Sequence, residues 1–191
     1  SSSEVYGEPV MLPQHEYTTP LNSRLPYAVV KNIGEAFCRS YQQEYGLDFT
    51  IFRFFNTYGA RQSQDFVMSK FLNAAVKNED ITLYGDGLQT RTFCYIDDNI
   101  DACLKVFLDE QYKNETYNIG NDQIITIKEL ALTIIELTGS SSKIIHLASL
   151  PEGDMTKRQP DISKMRKLLG RELLSYRQGI ERVLSKWQVK I

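Results

Sequence analysis

Tyr27 and Lys31 stand four residues apart in Tyr-Ala-Val-Val-Lys, inside a stretch with helical periodicity. On a helix, positions i and i+4 share a face, so a phenol and an ammonium can converge on one point. The ammonium favours the phenolate of a group whose pKa otherwise starts at about 10. Such a pair is a general acid/base suited to a sugar or alcohol hydroxyl near neutral pH. The spacing also arises by chance on many helices, so its weight depends on the residues that accompany it.

Four other segments carry candidate chemistry. In Ser1-Ser2-Ser3-Glu4-Val5-Tyr6-Gly7, small hydroxyls at a strand end can donate to a substrate oxygen. Glu4, two positions after Ser2, can act as a base or steer charge; the plainer reading is a serine-rich terminus. Asn56 follows the apolar strand pattern of Arg53-Phe54-Phe55 and precedes Thr57-Tyr58-Gly59. That is where ligands sit in open α/β sheets, outside the carboxyl ends of the strands, although Asn also closes ordinary turns. Gly85-Asp86-Gly87 leads through Leu88-Gln89-Thr90 to Arg91. A tight turn exposing Arg91 suits bidentate phosphate binding; a solvated arginine beside a hairpin-like turn is the alternative. Arg158, in Arg-Gln-Pro-Asp, could hold a diphosphate just before a helix start or be an ordinary surface charge.

The elements that position these residues follow from periodicity and punctuation. A helix is predicted over about Tyr27–Tyr45, with Val30, Ile33, Phe37, Cys38 and Tyr41 on or near one stripe and Gly46 at its end. Asp48–Phe55 reads as a strand buried on both faces, as in a parallel sheet. Phe66–Val76 reads as a helix, and Ile81–Tyr84 and Arg91–Ile96 as short strands. Asp97 is a candidate cap for the helix that carries Ile100, Cys103, Leu104 and Phe107. Thr116–Ile119 is a further strand. Thr126-Ile-Lys-Glu129 is a capping box opening a helix with Leu130, Ile134 and Leu137 inward and Gly139 after it. Lys143–Leu147 reads as a strand, and Asp161 and Ser175 as caps of two terminal helices ending at Gly170 and near Trp187. Strands alternating with helices predict an α/β chain with parallel pairing.

Composition narrows the function classes. The 191 residues are 42% hydrophobic and 11% aromatic, enough for a sizeable core. A net charge of −2 gives no electrostatic footprint for nucleic acid or an acidic membrane surface. No window approaches the length of a membrane-spanning helix, and the opening residues lack the basic and apolar regions of a secretory leader. Cys38, Cys94 and Cys103 have no metal-ligand spacing and read as reduced core thiols of a cytosolic protein. His15 and His146 have no Cys or His at ligand spacing, so no metal site is expected.

Taken in order, Ser-Ser-Ser-Glu-Val-Tyr-Gly, Tyr27/Lys31, Arg-Phe-Phe-Asn-Thr-Tyr-Gly, Gly-Asp-Gly-x-Gln-Thr-Arg-x-Phe and Arg-x-Pro-Asp resemble the extended short-chain dehydrogenase/reductase family. Within it the likeness is to the NAD-dependent nucleotide-sugar epimerases, dehydratases and decarboxylases, and it runs along nearly the whole chain. The resemblance implies a Rossmann-like doubly wound parallel sheet interleaved with a small α/β substrate-binding domain. Residues 1–59 and 92–120 would belong to the former, and 60–91 and 121–191 to the latter. It implies NAD as cofactor, a UDP-sugar or other nucleotide-sugar as substrate, a homodimer and a cytoplasmic location. Ser2 and Tyr27 would contact the sugar C4 hydroxyl, with Tyr27 as base. Lys31 would support the Tyr27 phenolate and hydrogen-bond the nicotinamide ribose. Ser3, Asn56, Arg91 and Arg158 would bind substrate, the last three holding the nucleoside diphosphate.

Glu4 and Ser3 help to separate the subfamilies. The 4,6-dehydratases carry Asp-Glu, with the Asp expelling the C6 hydroxyl, and here Ser3 takes the Asp position. The 4-epimerases usually lack a carboxylate at the position of Glu4. A Ser-Glu pair is most similar to UDP-glucuronate decarboxylases, in which C4 oxidation makes a β-keto acid that loses carbon dioxide. A 4-epimerase, a 4,6-dehydratase and a non-catalytic nucleotide-sugar-binding module are the other readings. Ala60 stands where the family usually has Pro. The family's glycine-rich βαβ fingerprint for the NAD pyrophosphate is not found in residues 1–191. The resemblance therefore implies the C-terminal part of a longer subunit, expected neither to bind NAD tightly nor to turn over alone.

Overall fold

Pro26 stands in the first turn of a 20-residue helix, α1 (Pro26–Tyr45), where the N–H it lacks would have no helical partner. Gly46 closes that helix in the left-handed conformation, its N–H returning to the carbonyl of Gln42. A computed structural model describes residues 1–148 and 157–188 of the chain. Ser3–Tyr6 form a 3₁₀ turn ahead of α1. After α1 come β1 (Thr50–Phe54), β2 (Thr57–Tyr58), α2 (Val67–Val76), β3 (Ile81–Tyr84), β4 (Thr90–Thr92), β5 (Cys94–Tyr95) and α3 (Ile96–Leu108). They are followed by β6 (Glu115–Ile119), β7 (Ile124–Thr126), α4 (Ile127–Thr138), β8 (Ile144–Leu147), α5 (Ser163–Leu169) and α6 (Tyr176–Lys186).

The α/β alternation builds parallel pairs, as expected. β1 runs parallel to β6 from Thr50 opposite Glu115 to Phe54 opposite Ile119. β2 is parallel to β5 and β3 to β8. β4 and β7 are the antiparallel exception. The predicted strand over Arg91–Ile96 is split at Phe93: β4 pairs with β7, while β5 pairs with β2. Residues 91–95 are all buried, so no alternation of faces holds them to one sheet, and the chain crosses between two ladders there.

Two main cores result. One gathers Phe71, Ile81, Leu83, Leu130, Ile134 and Ile180 from α2, β3, α4 and α6. The other gathers Ala102, Val106, Tyr117, Ile119, Met165 and Leu168 from α3, β6 and α5. The Thr126/Glu129 capping box opens α4 and a second, Ser175/Gln178, opens α6, each worth about 1 kcal/mol at its cap. Gly179 of α6 sits where any Cβ would run into the Tyr58 hydroxyl, which donates to the Tyr176 carbonyl at 3.0 Å.

Local expectations fail in four places. Asp97 does not cap α3; Tyr95 is the N-cap, and Asp97 and Asp98 lie in the first turn, where they favour the helix dipole. Asp98 is buried and accepts from the Leu174 N–H and from Arg171 instead. Asp161 likewise does not cap α5, whose N-cap is Ile162; its carboxylate accepts from the Ser163 N–H at 2.8 Å. On α1 the residues of the apolar stripe are not inward. Val30, Ile33, Phe37 and Tyr41 are at least half exposed, and Ala28 and Glu35 are the buried positions. α1 meets the rest of the described structure chiefly through the 3₁₀ turn, so its buried face is narrow. Finally, Cys94 is buried while Cys38 and Cys103 are only partly so; all three are free thiols, and burial pushes the Cys94 and Cys103 thiols up. Among the described residues no helix is long and apolar enough to cross a membrane.

Candidate active site

The hydroxyl run does not continue as a strand. Ser2 is extended, at φ −148° and ψ 153°, and its backbone bridges Phe54 of β1 in parallel before the chain turns into Ser3–Tyr6. As N-cap of that turn, Ser2 accepts the Glu4 N–H on its side-chain oxygen at 3.3 Å. A hydroxyl has one proton and two lone pairs, so this contact leaves the proton available for another acceptor. Ser3 is buried beside it.

Glu4 points to Arg158, and the two close an ion pair of 2.5 Å with both side chains mostly shielded from solvent. The Arg158 segment reaches this position through backbone pairing. The Gln14 N–H donates to the Gln159 carbonyl at 2.7 Å, and the Asp161 N–H donates to the Gln14 carbonyl at 2.8 Å. Gly120, at the end of β6, lets Pro160 and Phe55 approach to where a Cβ would lie 3.0 Å from each. The Nε of Arg158 is buried and has no partner among the described residues. Arg158 therefore belongs with Glu4, and it is not among the residues lining the cavity that holds Asn56 and Arg91.

Tyr27 and Lys31 converge as their spacing predicts. The Lys31 ammonium lies over the Tyr27 ring, 5.4 Å from its centroid. Tyr27 is 57% exposed, and Lys31 is partly buried.

Asn56 and Arg91 line one cavity of about 420 Å³ together with Phe66, Lys70, Tyr84 and Gln89. Asn56 is fixed by donating through Nδ2 to the Thr92 carbonyl at 3.0 Å. The presentation of Arg91 differs from the expected exposed turn. Arg91 lies on β4, is 7% exposed, and donates to the Thr90 carbonyl at 2.8 Å. The Gly85–Gly87 turn does not close a hairpin either, because β3 pairs with β8 and β4 with β7. The cations Lys70 and Arg91 suit phosphates and the rings of Phe66 and Tyr84 a planar base, with Asp65 also in the lining. A larger cavity of about 520 Å³, whose lining includes Tyr58, Arg61, Ile96 and Lys186, contains none of the predicted site residues.

Sequence reading missed Lys70 and Tyr84. Tyr84 had a usable signal in its place immediately before the Gly85 turn; Lys70 had none, since a lysine on an amphipathic helix is ordinary. It also missed Glu35 and Arg53. Arg53 is 1% exposed in β1 and grips Glu35 of α1 with two hydrogen bonds, 2.9 Å from Nε and 2.7 Å from Nη2. Its signal was a charge in the middle of the otherwise apolar Ile-Phe-Arg-Phe-Phe. Burial alone would raise the Glu35 carboxyl, but hydrogen bonds from Arg53 and Ser1 outweigh it and hold the group below the usual carboxylate range.

The model of the NAD dependent epimerase/dehydratase family matches residues 1–120. UDP-glucuronic acid decarboxylase 3 of Arabidopsis thaliana is 37% identical over 178 residues, covering 90% of this chain and 51% of the relative. UDP-N-acetyl-alpha-D-glucosaminuronate decarboxylase of Bacillus cytotoxicus is 34% identical over 197 residues, covering 96% and 61%. Among solved structures, UDP-glucose 4-epimerase of Thermotoga maritima with UDP-glucose superposes with a TM-score of 0.90 at 28% identity, covering 98% of this chain and 62% of that one. UDP-glucuronic acid 4-epimerase of Bacillus cereus, in complex with UDP-glucuronic acid and NAD, gives 0.83 at 27% identity, covering 97% and 60%. The chain thus spans roughly half to three-fifths of the length of these relatives.

Proposed function

This chain belongs to the NAD dependent epimerase/dehydratase family, and we propose that the whole protein is a nucleotide-sugar decarboxylase acting on UDP-glucuronate by transient oxidation at C4. The observation that carries this reading is the Glu4–Arg158 pair beside the Ser2 hydroxyl. It ties a guanidinium to Glu4, whose N–H rests on the hydroxyl assigned to C4. A guanidinium there suits a sugar carboxylate, which it can bind bidentately. Ser3 offers no carboxylic acid to expel a C6 hydroxyl, which weighs against a dehydratase. The decarboxylases among the relatives support the same reading.

Tyr27 and Lys31 fit a nicotinamide ribose and a reacting hydroxyl, because a phenol and an ammonium lie together on a partly open helix face. A bound NAD would supply the two-electron acceptor for the C4 carbon. Tyr27 takes the proton of the C4 hydroxyl, and Ser2 donates to the C4 oxygen. Once C4 is a carbonyl, the C5–C6 bond breaks with release of carbon dioxide. The electron pair of that bond forms the C4–C5 enolate, whose oxygen Ser2 and Tyr27 stabilise. C5 then takes up a proton, and the two electrons held by the bound NAD return to C4. Arg158 orients the departing carboxylate. Asn56, Lys70 and Arg91 hold the diphosphate, and Tyr84 offers a face to the base. In this reading residues 60–91 and 121–191 form the nucleotide-sugar-binding part, and the family likeness carries a homodimer.

Mass analysis of products from UDP-glucuronate tests the assignment. Loss of carbon dioxide supports it. An unchanged mass with altered retention makes the protein a 4-epimerase, loss of water a dehydratase, and binding without turnover a binding module.

A further inference from the structure

α1 is a 20-residue helix whose buried positions are Ala28 and Glu35. Ala28 offers a methyl group and no directional contact. Glu35 is 2% exposed, and its carboxylate is held from three sides. Arg53 of β1 reaches both oxygens. The Ser1 hydroxyl donates to Oε1 at 2.6 Å, and Arg39 approaches Oε2 at 3.4 Å. Arg53 is itself locked on its other side. Its Nη1 donates to the Tyr6 hydroxyl and to the Glu16 carbonyl, each at 2.9 Å, and Tyr6 donates to Asn118 Oδ1 of β6 at 2.7 Å.

Tyr27, Lys31 and Glu35 follow one another at intervals of four on a single helical row. Whatever fixes the rotation and axial position of Glu35 therefore fixes those of the phenol and the ammonium. The elements joined at this carboxylate are the ones that carry the candidate chemistry. α1 bears Tyr27 and Lys31, Ser1 adjoins Ser2, and β1 runs on through Phe55 to Asn56.

We propose that the buried Glu35–Arg53 pair is a positioning device that sets Tyr27 and Lys31 in register with the Ser2 hydroxyl. The inference rests on the enzymatic reading above. A buried ion pair is poor evidence of stability, since replacing both partners with apolar residues is often neutral or stabilising. Its bidentate geometry does specify one arrangement, whereas apolar packing tolerates sliding and rotation of a helix.

The test uses the whole protein and UDP-glucuronate, with the paired replacement Glu35→Leu/Arg53→Met, which removes both charges of the pair together. The pair is expected to lower kcat by about 10–100-fold, the scale on which small misplacements act, with KM within about threefold, UDP affinity unchanged and the thermal midpoint close to that of the parent. In a Tyr27→Phe background the same pair is expected to cost nothing further, because both changes disable one unit. Glu35→Asp keeps the charge but shortens the reach by one methylene, and should lower kcat in the same direction if the paired variant does not fold. An unchanged kcat in a folded variant, or an equal proportional loss in both backgrounds, overturns the positioning role and leaves the enzymatic reading intact. Absence of turnover by the parent protein on any UDP-sugar overturns both.

Discussion

Arg158 closes on Glu4 at 2.5 Å, bringing a loop near the end of the chain against the serine run at its start. The pair is carried by two backbone hydrogen bonds, Gln14 N–H to the Gln159 carbonyl and Asp161 N–H to the Gln14 carbonyl, and by the close approach that Gly120 allows. It ties Arg158 to the turn that Ser2 caps, and Arg158 is not among the residues lining the cavity of Asn56 and Arg91.

That separation distinguishes the two arginines. Arg158→Ala should leave UDP affinity unchanged and raise KM for UDP-glucuronate by about 10–100-fold, since a hydrogen bond to a charged group contributes about 1.5–3 kcal/mol. Arg158→Lys should recover little, because an ammonium cannot reproduce the planar fork. Isothermal titration with UDP alongside steady-state kinetics decides it. Equal weakening of UDP and UDP-glucuronate would return Arg158 to the diphosphate.

Arg91→Ala should instead weaken UDP itself, by about 10–100-fold on the same scale. Arg91 lines the cavity from β4 and is 7% exposed. Loss of its charge-assisted contacts is felt with or without a sugar attached. Calorimetry with UDP alone is the measurement, and an unchanged dissociation constant would remove the phosphate role.

Tyr27→Phe removes one oxygen from a side chain that is 57% exposed, so the fold should be indifferent to it. Turnover should fall by about 100–10,000-fold, the usual contribution of a positioned acid/base, with substrate affinity within a few-fold of the parent. Circular dichroism and binding of UDP-glucuronate separate this from misfolding.

Acid should weaken the anchor of α1. Burial raises the Glu35 carboxyl, and hydrogen bonds from Arg53 and Ser1 more than reverse that, so its folded pKa lies below its unfolded one. The charged form is therefore the stabilising one: its contribution is complete above the unfolded value of about 4.3 and is lost as pH falls through the folded value. Denaturation in urea at about pH 7 and about pH 3 should show the parent losing more stability than Glu35→Leu/Arg53→Met, which lacks the linked proton. Parallel losses in the two proteins would contradict this.

Gly179→Ala should lower stability by about 1–3 kcal/mol, the range for overpacking a filled core. The added methyl runs into the Tyr58 hydroxyl, which is 2% exposed in the core shared by α2, α4 and α6. A thermal midpoint equal to that of the parent would mean that Tyr58 moves aside freely.

Short-range features were legible in the chain because their causes are local. The Thr126/Glu129 box, the glycines closing α1, α4 and α5, and the convergence of Lys31 on Tyr27 each depend on backbone geometry within about one helical turn. The α/β alternation was equally visible in the spacing of apolar residues. The partners of Glu4, Asp98, Asp161 and Arg53 were not legible. For Glu4, Asp98 and Arg53 the partner is chosen by sheet register and loop packing between separate segments of the chain, which no local periodicity encodes, whereas Asp161 turns to the Ser163 N–H two residues on. Asn56 and Arg91 share a cavity for the same reason, and α1 presents Glu35 inward in place of its apolar stripe. A side chain's type and spacing define the chemistry open to it, and long-range packing selects the group that chemistry meets.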